Sequence, residues 1–557
     1  MRRPAAVLSV FTTAALLAAC SSPVNQQEQL VKAAPPLPPH PVHYSLPAPI
    51  AAPMVMPAHS LVARYAAAPV MMPLPQGADK FPGKEANKSV LVSEQPVSTF
   101  SADVDTASYA YVRRLLTAGQ RPSPDAVRVE EMVNYFPYRY ATPRNAAKPF
   151  EISTEVMPSP WKAENQLVHI AVRGYDIQTA ERPRANVVLL VDVSGSMMPA
   201  DRLPLLQQGF RLFAEQLRDE DTVAIVSYAN GTNVVLEPTT GKEKHKIVAA
   251  IDSLNANGGT AGGAGLQRAY ELAQRHFDAK AVNRVILATD GDFNVGIIDP
   301  KQLERFIVDK RKTGIYLSIL GVGAGNLNDA LMQRLAQSGN GNAAYIDSLL
   351  EARKALSEEL GSTMFPIAND VKIQVEFNPA QVAAYRLVGY ETRMLQRQDF
   401  NDDKVDAGDM GSGHTVTAIY EITPAAAAAK LVDPPRYEGN KPLKPAAGAR
   451  GDELCFVKLR YKLPGAGASV LLDHPVRAAS AHKAFSAAPD DQRFAVAVAA
   501  FAQRLRGEPQ LAETSYADIA ALANGARGAD REGYRAEFVK LVRMAESLDK
   551  VSASGQK

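Results

Sequence analysis

The chain has 557 residues, 46% of them hydrophobic, which is ample apolar material for folded cores. Its 61 basic and 59 acidic residues leave a net charge of +2 and no Lys/Arg cluster, so the basic face that nucleic acid requires is excluded. Beyond the amino terminus no segment reaches the roughly 18 to 20 apolar residues of a membrane-spanning helix.

Residues 1–19 begin with Arg2 and Arg3 and continue with an apolar run over 5–19, too short for a stable anchor. Leu17-Ala18-Ala19-Cys20 follows and resembles the bacterial lipoprotein signal. That resemblance implies cleavage before Cys20 and lipidation of its thiol. Ser21 next to it is similar to signals sent to the outer membrane of Gram-negative bacteria. The alternative is an ordinary cleaved signal with a chance cysteine, and the rest of a twin-arginine pattern is missing. With Cys20 acylated, Cys455 stands alone and no intramolecular disulfide is expected. Phe456 and Val457 beside it suggest strand packing. Residues 20–94 are rich in Pro and Ala, which reads as a disordered tether. His40 and His43 within it are more simply tether residues than a chelate.

Residues 95–182 read as a folded helical and β module. Asp105 is expected to cap a helix over 106–117, with Gly119 past its end. A second helix is expected over 127–136, and strands over 150–156 and 167–172. Asp103-Val-Asp105 lacks the further ligands of a calcium loop, so capping explains it better.

Residues 183–362 follow the strand–helix rhythm of an α/β domain. The apolar run 187–191 reads as a buried parallel strand. Asp192-Val-Ser194-Gly-Ser196 then falls at its carboxyl end, where open α/β sheets keep their binding sites. Thr260 lies in the glycine-rich loop 258–265, and the strand 284–289 runs into Asp290-Gly-Asp292. Carboxylates and hydroxyls are hard oxygen ligands suited to Mg²⁺. Leu206, Phe210, Phe213 and Leu217 form an apolar helix face, and 315–322 is another buried strand. The Gly321-x-Gly323-x-Gly325 run after it lacks dinucleotide spacing and reads as a strand-end turn near the site. A helix over 349–360 closes the domain.

D-x-S-x-S, a loop Thr and a strand-end Asp, in this order, resemble the metal-ion-dependent adhesion site of the von Willebrand factor type A family. The resemblance implies an α/β fold with a doubly wound, mainly parallel, Rossmann-like sheet. It also implies a divalent cation, Mg²⁺ with Mn²⁺ or Ca²⁺ left open. Ser194 and Ser196 would bind it directly, Thr260 directly or through water, and Asp192 and Asp290 mostly through water. An open coordination position would accept an Asp or Glu from a protein partner. All these residues are expected on surface loops. The plainer alternative is that Ser194 and Ser196 cap the next helix.

Residues 363–557 read as an α+β module. Strands are expected over 371–377, 385–390, 414–422 and 454–461, and helix faces at Phe494, Val498, Phe501 and Leu505 and at Tyr534, Phe538, Leu541 and Leu548. Ser515-x-x-Asp518 fits a helix start. The strands at 150–172 and 371–461 are expected to join in one sheet, with the α/β domain inserted between them. The segments 100–109, 128–137 and 289–296 are similar to the bacterial YfbK-like A-domain proteins, a resemblance running from about residue 95 to about 548. No G-x-S-x-G elbow or H-E-x-x-H is present, so catalysis is not expected. The expected function is metal-dependent protein–protein interaction by a lipid-anchored cell-envelope protein. A structural assembly factor without reversible ligand binding, or a metal-dependent hydrolase, are the alternatives.

Overall fold

The computed structural model describes residues 79–178, 181–259, 262–291, 299–358, 364–405, 407–430 and 451–554. The expected signal, Cys20, His40, His43, most of the Pro/Ala-rich segment, Thr260 and Asp292 lie outside the described residues. Among the described residues no helix is long and apolar enough to cross a membrane.

The first part supplies β1 (Val90–Leu91), β2 (Val97–Ser101), α1 (Ala107–Thr117), α2 (Val129–Asn134), β3 (Phe150–Pro158) and β4 (Gln166–Gly174). The α/β part supplies β5 (Arg184–Asp192), α3 (Leu203–Gln216), β6 (Thr222–Tyr228), β7 (Thr232–Thr240), α4 (Lys244–Asp252), α5 (Gly262–Arg275), β8 (Ala281–Thr289), α6 (Pro300–Lys312), β9 (Ile315–Val322), α7 (Asp329–Ser338), β10 (Ala343–Ile346) and α8 (Leu349–Arg353). The last part supplies β11 (Pro366–Phe377), β12 (Val382–Val388), β13 (Met394–Leu395), β14 (Met410–Gly411), β15 (Thr415–Pro424), β16 (Glu453–Lys462), β17 (Ser469–Arg477), α9 (Asp490–Arg506), α10 (Tyr516–Asn524) and α11 (Tyr534–Ser554).

The α/β sheet has the order β10-β9-β8-β5-β6-β7, parallel except for the edge pair β6–β7. Its parallel strands are largely apolar on both sides because helices cover both faces, the arrangement buried parallel sheets require. Leu206, Phe210, Phe213 and Leu217 of the first helix face are all buried there. The order reverses at β5, which has β8 on one side and β6 on the other, so the chain opens a crevice at the carboxyl end of β5.

The flanking strands segregate into two sheets rather than the single sheet expected. One has the order β1-β12-β15-β4-β3; the other has β13-β2-β11-β16-β17, with β14 beside β11. One apolar core containing Phe100, Ile152, Val172, Val375, Ile422 and Val457 unites their inner faces. Alternation in a strand fixes which residues point inward, but not which strand is its neighbour. The α/β domain enters after β4 and leaves before β11, so it is an insertion between strands of this sandwich. A second core joins α1, α2 and α9 to α11 to the outer side of the first sheet.

Cys455 is buried in β16, where desolvation pushes its thiol pKa upward. Ser515 and Asp518 form the expected capping box. Three local expectations are corrected. Asp105 does not cap α1; with Asp103 it holds the buried Arg393 at 2.8 and 2.9 Å and accepts from Ala343 N. The helix expected over 127–136 forms but is shorter, α2 over Val129–Asn134, with a separate 3₁₀ turn at Pro124–Ala126 before it. The helix expected over 349–360 leaves α geometry at Lys354 and becomes a π turn over Lys354–Glu358.

Candidate metal centre

β5 ends in Asp192. Parallel pairing with β6 sets Tyr228 level with it, and β8, whose Ala288 pairs with Val191, brings Thr289 and Asp290 to the same end. Asp192 is fully buried at 0% exposure and Asp290 at 1%, so neither is the surface-loop ligand expected. Asp192 Oδ1 accepts from Ser194 N at 2.8 Å, and Oδ2 accepts from Tyr228 Oη at 3.1 Å and Thr289 Oγ1 at 3.4 Å. Burial raises the Asp192 pKa, the hydrogen bonds from Ser194 and Tyr228 oppose that rise, and the nearby Asp290 charge adds to it. Among the described residues no cation pairs with Asp192. It is a desolvated carboxylate stabilised by dipoles alone, a costly state that a nearby cation would relieve.

In front of it, Ser194 Oγ and Ser196 Oγ lie 3.0 Å apart. Ser194 precedes a 3₁₀ turn, Gly195–Met197, and its hydroxyl makes no capping hydrogen bond, so the capping explanation does not account for it. The loop is fixed by backbone bonds: Val193 N to Tyr228 O at 3.0 Å, Asn257 N to Val193 O at 2.7 Å and Gly195 N to Gly258 O at 2.9 Å. Gly258 has φ +92, and a β-carbon there would overlap the Asn230 side chain, whose Oδ1 accepts from Gly259 N at 2.6 Å. The serine loop and the glycine-rich loop are therefore in direct contact just before Thr260, which lies outside the described residues.

Arg202 completes the site. Its Nη1 forms an ion pair with Asp290 Oδ2 and donates to Ser196 O at 2.8 Å, and its Nη2 donates to Ala324 O at 3.2 Å. Gly323, at φ +71, sits where any side chain would collide with this guanidinium. The glycines at 321–325 thus form a strand-end turn beside the site and leave room for the arginine.

The structure brings together Asp192, Ser194, Ser196 and Asp290. Sequence reasoning missed Tyr228, Thr289 and Arg202. Tyr228 ends an expected strand and Thr289 precedes Asp290, so strand register was an available signal for both; none pointed to Arg202. Among the described residues no group of three or more His, Cys, Asp or Glu forms a metal cage. The donor set is instead two hydroxyls backed by two buried carboxylates. One carboxylate is neutralised by Arg202, so the local charge is about −1. That set fits a hard divalent ion with a largely hydrated shell.

Residues 187–292 match the von Willebrand factor type A domain family, residues 75–169 match the family described as von Willebrand factor, and residues 362–548 match "Uncharacterized protein YfbK, C-terminal". "Uncharacterized protein YfbK" of Escherichia coli (strain K12) is 44% identical over 467 residues, 83% of this chain and 80% of that protein. The chain belongs to the YfbK-like family of von Willebrand factor type A domain proteins. A "UPF0353 protein" of Mycolicibacterium vanbaalenii is 27% identical over 208 residues, 32% of this chain and 62% of its own. Among solved structures, "von Willebrand factor type A from Catenulispora acidiphila" covers 71% of this chain and 88% of its own at 18% identity and TM-score 0.40. The "ArnB paralog VWA2 from Sulfolobus acidocaldarius" covers 72% and 98% at 12% identity and TM-score 0.35. In this YfbK-like chain the A-type domain is the insertion β5 to α8, and the matched C-terminal region begins as the chain re-enters the sandwich.

Proposed function

We propose that the A-type domain binds one divalent cation, Mg²⁺ before Mn²⁺ or Ca²⁺, and uses it for metal-dependent protein–protein interaction. The observation that carries this reading is the pair of serine hydroxyls 3.0 Å apart in front of the fully buried Asp192, with which no Lys or Arg pairs among the described residues. Ser194 and Ser196, with Thr260, would hold the ion; Asp192 and Asp290 would act mostly through water. Bound there, the cation would supply a Lewis-acidic position for an Asp or Glu of the partner. Arg202 limits how far Asp290 can neutralise it, which keeps that position electrophilic. Met198, two residues past Ser196, is 66% exposed and would offer the partner an apolar contact beside the charge. The protein is proposed to be non-enzymatic and to sit in the cell envelope, anchored through a lipid on Cys20.

The test uses Ser194→Ala with Ser196→Ala. Changing Asp192 would strand the donors of Tyr228 and Ser194 in the core, whereas the two hydroxyls can go without disturbing packing. Calorimetry should show at least tenfold weaker Mg²⁺ and Mn²⁺ binding with an unchanged melting temperature in chelator. Capture of envelope proteins on the wild-type chain should be released by chelator and restored by Mg²⁺. Undiminished metal binding in the variant would sink the metal site. A partner indifferent to chelator would leave the domain as an assembly scaffold.

A further inference from the structure

A cavity of about 320 Å³ lies between the A-type sheet and the sandwich with its helices. β8 and β9 contribute Arg284 and Ser318 to its wall, Asn342 joins them from just before β10, and Arg182 and Lys354 line it from neighbouring segments. Pro137 and Asp176 on the wall are exposed, so the space reaches solvent. The volume is at the lower end of small-molecule sites.

The wall carries an unusual charge. Arg284 is buried at 3% exposure, and its Nη1 donates to Ser318 Oγ at 2.6 Å. Its guanidinium lies 5.6 Å from the Tyr316 ring, and its Nε has no hydrogen-bond partner among the described residues. Among the described residues no carboxylate forms an ion pair with it. Arg182 also lines the cavity with a buried Nε that has no partner among the described residues, and packs over Phe365 at 5.8 Å. Among the described residues the wall carboxylates Asp105 and Asp176 do not compensate: Asp105 is occupied by Arg393, and Asp176 is exposed. Asp409, which acts on Arg284 from a distance, accepts from Asn340 Nδ2 at 3.0 Å. Burial lowers the Arg284 pKa to about 10, which leaves it charged at neutral pH. Elsewhere in this chain buried arginines are matched: Arg113, Arg128, Arg386 and Arg393 each meet carboxylates. A buried charge without a counter-charge costs several kcal/mol, and an unsatisfied buried donor points to an ion or water that belongs beside it.

We propose that this cavity is a second ligand site, distinct from the metal-centre loops, that takes a small oxyanion with Arg284 as its main counter-charge and Arg182 as support. A phosphate or a carboxylate group satisfies the donors equally, because both present planar pairs of oxygens to a guanidinium.

The full chain is titrated with inorganic phosphate and, separately, with succinate, at constant ionic strength set by chloride. A saturable rise in melting temperature with one of them, matched by calorimetric binding, is expected and identifies the class. Arg284→Met should abolish that rise. Without added anion it should be at least as stable as wild type, because it removes an unmatched charge from the interior. Arg182→Gln should weaken anion binding several-fold and keep the fold. Absence of a saturable response to both anions in wild type overturns the proposal, as does a response that Arg284→Met retains. If Arg284→Met fails to fold, the wild-type titrations and Arg182→Gln decide by the same criteria.

Discussion

His169 lies in the middle of β4, fully buried, with Nε2 3.3 Å from Tyr140 Oη, whose oxygen is in turn 2.7 Å from Thr417 Oγ1. Its Nδ1 has no hydrogen-bond partner among the described residues. Desolvation lowers its pKa from 6.5 to about 4, with its own backbone and the Asp491 charge opposing the shift. The folded chain therefore refuses a proton that the unfolded chain accepts below pH 6.5. Stability from this residue is complete above pH 6.5 and falls as the pH drops toward 4, by up to about 3 kcal/mol in all. Glu130 and Asp329, whose pKa values burial raises, act in the opposite sense, so the wild-type slope is a sum. His169→Gln keeps a hydrogen-bonding group toward Tyr140 and cannot be charged. Its melting temperature should fall less than that of wild type between pH 7 and pH 5. Equal falls would mean that His169 is protonated in the fold.

At the scale of elements, the segment that leaves the Pro/Ala-rich stretch grips the rim of the metal-centre loops. Lys80 bridges Asn328 in parallel, with Lys80 N donating to Leu327 O at 2.9 Å. Asp79 Oδ1 accepts from Gly325 N at 3.1 Å and Leu327 N at 2.8 Å, while Tyr111 Oη donates to its other oxygen at 2.7 Å. The same loop abuts Gly291, just past Asp290, where a β-carbon would overlap Asn326 O. Asp79→Ala frees two backbone donors, each worth about 1 kcal/mol. Amide exchange at Gly325 and Leu327 should accelerate about tenfold or more, and unchanged exchange would show that Asp79 adds nothing to the order of the loop. This contact was not legible in the sequence, since it joins residues 246 and 248 positions apart. What was legible is local. The run at 187–191 is wholly apolar and those at 284–289 and 315–322 are mainly so, because helices bury both of their faces, and such runs announce strands. β7 was missed because it is a half-exposed edge strand rich in Thr and containing Pro238, with only the three apolar residues 234–236 in a row. The serines, Asp192 and Asp290 were legible because each ends or follows such a run. Arg202 was not, because its partner Asp290 lies 88 residues away.

The whole molecule is tied together through buried charge. Arg113 of α1 reaches three parts of the chain: Nε donates to Asp347 Oδ2 at 2.8 Å after β10, Nη2 to Glu351 Oε2 at 2.8 Å in α8, and Nη1 to Glu537 Oε2 at 3.1 Å in α11. Tyr135 Oη also lies 2.9 Å from Nη1. One guanidinium thus ties the insertion to two helices of its host, in surroundings dry enough that the pairing is strong and its loss severe. Arg113→Met leaves Asp347 and Glu351 without this cation and should cost about 3–5 kcal/mol. The sole tryptophan, Trp161, provides a reporter away from the insertion, since its Nε1 donates at 3.1 Å to Glu421 of β15. In wild type, denaturant should move Trp161 fluorescence and far-ultraviolet circular dichroism together, because the clamp makes insertion and host unfold as one unit. In Arg113→Met the circular dichroism should begin to fall at lower denaturant than the Trp161 signal, as the A-type domain loosens before the sandwich opens. If both transitions of the variant stay coincident at the wild-type midpoint, Arg113 is not the clamp, and coupling between insertion and host must run through the other contacts, such as the buried Arg128–Asp329 pair and the apolar packing.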